Sequence, residues 1–392
     1  MDKRYFIVLG ACMTQFMVIG LLFSFGLFFR VFEEEFGWSR ALVSSGTALA
    51  MFMMGVLAIP SGRLGDRFGP RIVLTVSGAL FGFGYAMISQ ISEPWHLLLL
   101  LGLFVGLGMA THDVITLSTI GRWFERRRGI MTGIVKTGTA AGQVALPPLC
   151  AYLIATHDWR TAVVILGVTA GIALLIAARL VRPAPKPSET AATDAEPPGL
   201  TFSEARRTAQ FWKLCALQFC FFPTLTSIPL HIAVHGEDQG MTTAMAATLL
   251  ATVGGVSAAG RLIVGAFSDR IGGRNAYMLC FMPLICALVL LTTITDHTAM
   301  FAIAALYGFA HGGFFTVVSP TIAESFGTKA LGAIFGVIVF CGTVGGAISP
   351  ILLGRTYDVL GYYDPGFIAL ACLAGLGLVL AWTLARGRVP LG

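Results

Sequence analysis

Gly62-Arg63-Leu64-Gly65-Asp66-Arg67-Phe68-Gly69-Pro70-Arg71 and Gly265-Ala266-Phe267-Ser268-Asp269-Arg270-Ile271-Gly272-Gly273-Arg274 repeat one pattern at an offset of 203 residues. Each copy is a short polar break between two long apolar runs. The offset reaches outward in both directions: Gly37 falls on Gly240, Trp123 on Phe326, Gly129 on Gly332, Gly133 on Gly336, Gly142 on Gly345 and Pro147 on Pro350, without a gap. Self-similarity at half the chain length marks a duplicated unit. Ser39 and Thr242, at N-cap positions, open the second and eighth runs of the two copies.

The runs themselves set the class. With 392 residues, 56% hydrophobic, 12% charged and mean hydropathy +0.81, the chain is too apolar for a water-soluble protein. A helix crosses the bilayer core with about 20 apolar residues, and twelve such stretches can be drawn, from 6–29 to 364–385. Continuous apolar runs of this length exclude a barrel of short alternating strands. The expected fold is an all-α membrane protein with twelve transmembrane helices in two pseudo-symmetric six-helix bundles, residues 1–181 and 210–392. The stretch 182–209, with Pro183, Pro185, Pro187, Pro197 and Pro198 among charged residues, reads as a solvated cytoplasmic linker. The first run is nearer 24 residues than the 7–15 of a signal peptide, so it is expected to stay as a span. The eight cysteines have no Cys-x-x-Cys spacing and read as small buried residues rather than ligands.

Charge distribution gives orientation. If the N-terminus is cytoplasmic, that side holds twenty of the 26 Lys and Arg and the other side four, which is the positive-inside bias. Both termini are then cytoplasmic, in what we expect to be a bacterial cytoplasmic (inner) membrane. The net charge of +6 is topological, and no basic domain supports nucleic-acid binding. The remaining two cations, Lys136 and Arg261, lie within spans.

The two copies of the ten-residue motif resemble the loop signature of the major facilitator superfamily, G-x-L-x-D-R-x-G-R, which falls between the second and third spans of each half. Trp123-Phe124-Glu125-Arg126-Arg127-Arg128-Gly129, Asp158-Trp159-Arg160 and Phe326-Gly327-Thr328 are similar to the monocarboxylate and oxalate–formate transporter branch. The resemblance covers essentially the whole chain. It implies a secondary active transporter in which two bundles work by alternating access, with Gly62, Asp66, Arg67, Asp269 and Arg270 forming gating loops and an aspartate of each loop accepting from helix N-termini and arginines. It also implies that Arg261, in the eighth span, binds a substrate carboxylate. Ser257 stands where vertebrate members carry an aspartate, and Phe23 where they carry a lysine.

The repeat adds a test of its own. Arg261 falls on Ala58, Lys136 on Val339, Asp113 on Thr316, His112 on Phe315 and His311 on Gly108, so every strongly polar site within the spans is confined to one half. A scaffold role would be duplicated; an asymmetric ligand needs no duplication. At 1.5 Å per residue, Arg261, Lys136 and Asp113 are expected roughly 12–14 Å from the cytoplasmic boundary. Gly254, Ser257, Ala258 and Gly265 share the face of Arg261, and Tyr307, His311 and Phe315 form one stripe on the tenth span, expected to wall the cavity opposite. His112 and Asp113, adjacent on a helix, are expected on different faces. Gln15 and Gln143 read as interhelical hydrogen-bonding residues.

The expected function is transport of a small monocarboxylate anion, lactate- or pyruvate-like, together with a proton. Arg261 serves as the clamp, with Ser257, His311, Tyr307 and Phe315 around it. Asp113 pairs with Lys136 as a proton-coupling ion pair, and His112 and His311 stand in reserve. Dicarboxylate or organic-anion exchange and export of amphipathic compounds are the alternatives. No cofactor or metal is implied, and the chain is expected to act as a monomer. An enzyme is not expected: no His-Glu-x-x-His, nucleophile elbow or phosphate loop occurs.

Overall fold

Gly69 and Gly272 both take a backbone conformation closed to other residues, φ 85°, ψ 160° and φ 77°, ψ 162°. Here one helical segment gives way to the next across a single non-helical residue, and only the missing Cβ permits it. Two positions 203 residues apart therefore fold identically. Gly37 and Gly240, also a repeat pair, share positive φ as well.

The computed structural model describes residues 3–38, 40–124, 127–184 and 199–387, so Ser39 and Pro185, Pro187, Pro197 and Pro198 lie outside the described residues. The elements are α1 (Lys3–Ser24), α2 (Phe28–Phe36), α3 (Arg40–Phe68), α4 (Pro70–Met87), α5 (Pro94–Leu99) and α6 (Gly106–Trp123), followed by α7 (Arg128–Thr156) and α8 (Trp159–Leu180). Then come α9 (Phe202–Ala205), α10 (Ala209–Asp238), α11 (Thr243–Leu291), α12 (His297–Phe326), α13 (Leu331–Leu360) and α14 (Asp364–Trp382). A π-helical segment, Leu100–Val105, joins α5 to α6.

Among the described residues, eleven helices are long and apolar enough to cross a membrane, and one of them, Thr248–Leu291, contains the break at Gly272. That element supplies two limbs, the eighth and ninth of the twelve spans. Helix starts follow local chemistry: Asp158, Thr208, Thr242 and Asp296 each accept a backbone N–H of the first turn. Pro147, Pro223, Pro229, Pro320 and Pro350 lie inside helices. A helical proline strips a donor from the carbonyl four residues earlier. For Pro350 that carbonyl is Gly346, and Thr226 Oγ1 donates to it from α10 at 2.8 Å.

The chain divides into two compact units. Residues 1–125, 134–199 and 328–340 form the first, in which α1, α4, α6 and α8 pack together and α3 packs on α6. Residues 126–133, 200–327 and 341–392 form the second, built on α10, α11, α12 and α14. At the described ends of the stretch read as a linker, Arg182 lends its carbonyl to Trp123 Nε1 at 2.9 Å in the first unit. In the second, Leu200 N donates to the Phe326 carbonyl at 2.8 Å, and Thr201 with Glu204 caps α9. Trp123 and Phe326 are repeat partners. Of the eight free cysteines, Cys150, Cys215, Cys220 and Cys280 are buried as expected, but Cys286 and Cys372 are exposed on α11 and α14. Apolar character in a span does not report burial, because lipid is as apolar as a protein core.

Candidate functional site

In the second unit, glycines decide which side chains meet. A Cβ on Gly312 would come within 2.7 Å of the Ser257 carbonyl carbon, one on Gly308 within 2.7 Å of the Val253 oxygen, and one on Gly260 within 3.1 Å of the Phe309 carbonyl carbon. The α11 and α12 backbones therefore run almost in contact. Sequence reasoning did not single out these three glycines, although the small-x-x-x-small spacing of Gly308 and Gly312 on α12 is a readable signal; Gly260, with Val256 and Val264 four residues to either side, carries no such signal. Their effect is to place Ser257 Oγ 3.0 Å from His311 Nδ1 and the Arg261 guanidinium carbon 4.9 Å from the centroid of the Phe315 ring.

The stripe expected on α12 exists, with ring centroids 5.6 Å apart from Tyr307 to His311 and 5.2 Å from His311 to Phe315. Its position differs from expectation. It lies beside Arg261 and not across a cavity from it, because the glycine contacts bring α12 directly against the eighth span. Arg261 is only 2% exposed. A guanidinium over an aromatic face gains about 0.5–2 kcal/mol and keeps its planar fork oriented. Tyr307 donates its hydroxyl to the Thr224 carbonyl at 2.8 Å, which makes it a wall of this group. Of the small residues expected around Arg261, Gly254 opens onto free space, whereas Gly265 is packed against Gly129.

The first unit assembles the other charged group. Lys136 Nζ donates to Asp113 Oδ1, with Lys136 2% exposed. Gln15 on α1 is the hub: its Nε2 lies 2.9 Å from Asp113 Oδ1, 3.0 Å from the His112 carbonyl and 3.2 Å from Thr116 Oγ1, while its Oε1 accepts from Thr139 at 2.9 Å. The expectation that His112 and Asp113 point apart is wrong. His112 Nε2 lies 3.4 Å from Asp113 Oδ1, since an imidazole is long enough to swing across the 100° between neighbouring helical positions. Three helices thus converge on one carboxylate. Among the described residues no group of three His, Cys, Asp or Glu is arranged to hold a metal.

The loop aspartates cap helices, each within its own unit. Asp66 accepts from the backbone N–H of Gly332 at 3.2 Å and of Ala333 at 2.9 Å, where α13 begins, and pairs with Arg122. Arg122 Nε also donates to the Thr328 carbonyl at 3.2 Å. Asp269 accepts from Gly129 at 2.7 Å and Ile130 at 3.0 Å, at the start of α7. Arg67 and Arg270 are exposed, and among the described residues the arginine paired with Asp66 is Arg122; the carboxylates hold helix N-termini, which carry partial positive charge.

A family model, the Major Facilitator Superfamily, matches residues 7–350 and again 257–391. The chain belongs to the major facilitator superfamily. Among its relatives in this superfamily is monocarboxylate transporter 13 of Bos taurus, 27% identical over 381 residues that cover 96% of this chain and 88% of the relative. The agnestins efflux protein AgnL12 of Paecilomyces divaricatus is 23% identical over 399 residues, covering 100% of this chain and 89% of that one. The proton:xylose symporter XylE superposes with a TM-score of 0.75 at 14% identity, over 98% of this chain and 96% of the symporter, which places the fold.

Proposed function

We propose that this major facilitator protein moves a small monocarboxylate across its membrane together with a proton. Arg261 carries the reading. It is a buried guanidinium held over Phe315, next to the Ser257–His311 pair and below the open face at Gly254, in a chain similar to monocarboxylate transporters. A guanidinium pairs a planar carboxylate through two parallel hydrogen bonds, and Ser257 and His311 offer polar atoms to a neighbouring hydroxyl or keto oxygen.

Charge bookkeeping supplies the proton. An anion entering against a negative interior costs about 2.3 kcal/mol per 100 mV, and a co-transported proton cancels that cost. Asp113 is the proposed carrier: protonated, it releases Lys136 and adds a second cation that favours an anion; deprotonated, it neutralises Lys136 again. His112, in reach of the same oxygen, is the alternate acceptor. The domains are proposed as two six-helix halves, with both termini cytoplasmic on the charge bias, in a bacterial cytoplasmic membrane, and the monomer as the working unit.

Proteoliposomes test this directly. Labelled lactate should accumulate when an inward pH gradient is imposed, Arg261→Gln should abolish uptake, and Asp113→Asn should abolish the pH-driven component while sparing exchange. Accumulation that survives Asp113→Asn sinks the coupling assignment. The similarity to an efflux protein favours a second reading, export of amphipathic compounds, and that reading requires transport indifferent to Arg261→Gln.

A further inference from the structure

One corner of the second unit gathers five cations and two indoles that the transport site does not use. There α9, the first turn of α10 and the end of α14 meet. Trp212 Nε1 donates to the Arg206 carbonyl at 2.9 Å, Lys213 Nζ to the Thr383 carbonyl at 2.7 Å, and Ala385 N to Gln210 Oε1 at 3.0 Å. The Arg274 guanidinium carbon lies 5.8 Å from the Trp382 ring centroid, and its Nε has no hydrogen-bond partner among the described residues. Arg206, Arg207 and Arg386 are exposed. Trp212 is 59% exposed and Trp382 62%.

The acidic residues nearby are turned to other work. Glu204 bonds Thr201 at 2.7 Å, and Glu324 accepts the Gly273 N–H at 2.8 Å. The repeat separates what the scaffold needs from what it does not. Arg206 and Arg207 fall on Lys3 and Arg4, and Arg274 on Arg71, so both halves carry this charge; Trp212 falls on Leu9 and Trp382 on Arg179, so the indoles belong to the second half alone.

Exposed tryptophans at the ends of spans sit at headgroup depth. Clustered cations beside span ends attract anionic lipid, and guanidinium groups take phosphate oxygens in pairs. We propose that this corner is a binding site for an anionic phospholipid, its phosphodiester held by Arg206, Arg207 and Arg274 and its glycerol region seated against Trp212 and Trp382. A zwitterionic headgroup is disfavoured, because its ammonium would face five cations.

The full-length protein in vesicles decides it. Indole fluorescence is quenched by brominated lipid, and the Trp212→Phe/Trp382→Phe variant isolates the share that comes from the corner. That share should be quenched at least about fivefold more per lipid by brominated phosphatidylglycerol than by brominated phosphatidylcholine. Arg206→Gln/Arg207→Gln/Arg274→Gln should erase the preference, and Arg4→Gln/Arg71→Gln/Arg179→Gln should leave it. Equal quenching by the two lipids overturns the proposal, as does displacement by excess inorganic phosphate, which would indicate a site for a free anion. Native mass spectrometry of wild type from mixed micelles gives an answer without variants: retained phosphatidylglycerol supports the site, and equal retention of both lipids overturns it.

Discussion

At the residue scale, Arg261 shows how a charge is kept inside a span without a duplicated partner. Phe315 supports the face of its guanidinium, and the glycines of α12 bring Ser257 and His311 alongside. On the proposed role of Arg261 as a carboxylate clamp, the planar fork rather than bare charge is what binds, so Arg261→Lys should also lose transport, by about tenfold or more given 1.5–3 kcal/mol for a charge-assisted bond, with the melting temperature nearly unchanged. Uptake of labelled lactate, read beside thermal unfolding, checks this. A second residue carries a pH prediction. Desolvation pushes the Glu35 carboxyl up, but hydrogen bonds from Arg160 and the Trp159 indole outweigh it and hold the group below the usual carboxylate range. A depressed value means the contact is fully present above the unfolded carboxyl pKa of about 4.3 and is lost as pH falls through the lower folded value. Trp159 emission, taken as the difference from Trp159→Phe, should therefore stay flat above pH about 4.5 and change only in more acid solution.

At the element scale, helices in this chain meet through missing side chains. A Cβ on Gly133 would lie 3.2 Å from the Arg261 carbonyl carbon, and one on its repeat partner Gly336 would lie 2.9 Å from the carbonyl carbon of Ala58, the residue that Arg261 replaces. The same backbone contact recurs in both units, with a charge added on one side only. Within a bilayer no hydrophobic force draws helices together, so such approaches supply dispersion contact instead. Gly133→Val and Gly336→Val should each destabilise by about 1–3 kcal/mol, an overpacking cost. Unfolding in detergent should show similar losses for the two, and a loss at one glycine alone would break the symmetry assigned to them.

At the scale of the whole molecule, each compact unit contains the opening turns of a helix from the other half of the sequence: residues 328–340 in the first and 126–133 in the second. A loop aspartate fastens each of these turns. Capping bonds to a charged acceptor contribute about 1.5–3 kcal/mol. Asp66→Ala should accordingly speed amide exchange at Gly332 and Ala333, and Asp269→Ala at Gly129 and Ile130, by about tenfold or more, each without effect at the other site. Exchange measured by mass spectrometry reads this, and spreading of either effect to both pairs would contradict it.

What the sequence determined by itself was the duplication, the class and the residues worth watching. The 203-residue offset, the glycines of the paired loops and the charges within spans at Lys136, Asp113 and Arg261, which have no charged counterpart in the other repeat, are all local or periodic signals. Partnership was decided by tertiary structure alone. That Gln15 bridges to Asp113, that Arg122 rather than Arg67 serves Asp66, and that the α12 stripe lies beside Arg261 depend on which helices touch and at what rotation. Hydropathy cannot supply that rotation in a membrane protein. Lipid-facing and protein-facing sides of a span are equally apolar, so the amphipathic signal that orients a helix in water is missing, and packing of glycine against backbone sets the angle instead.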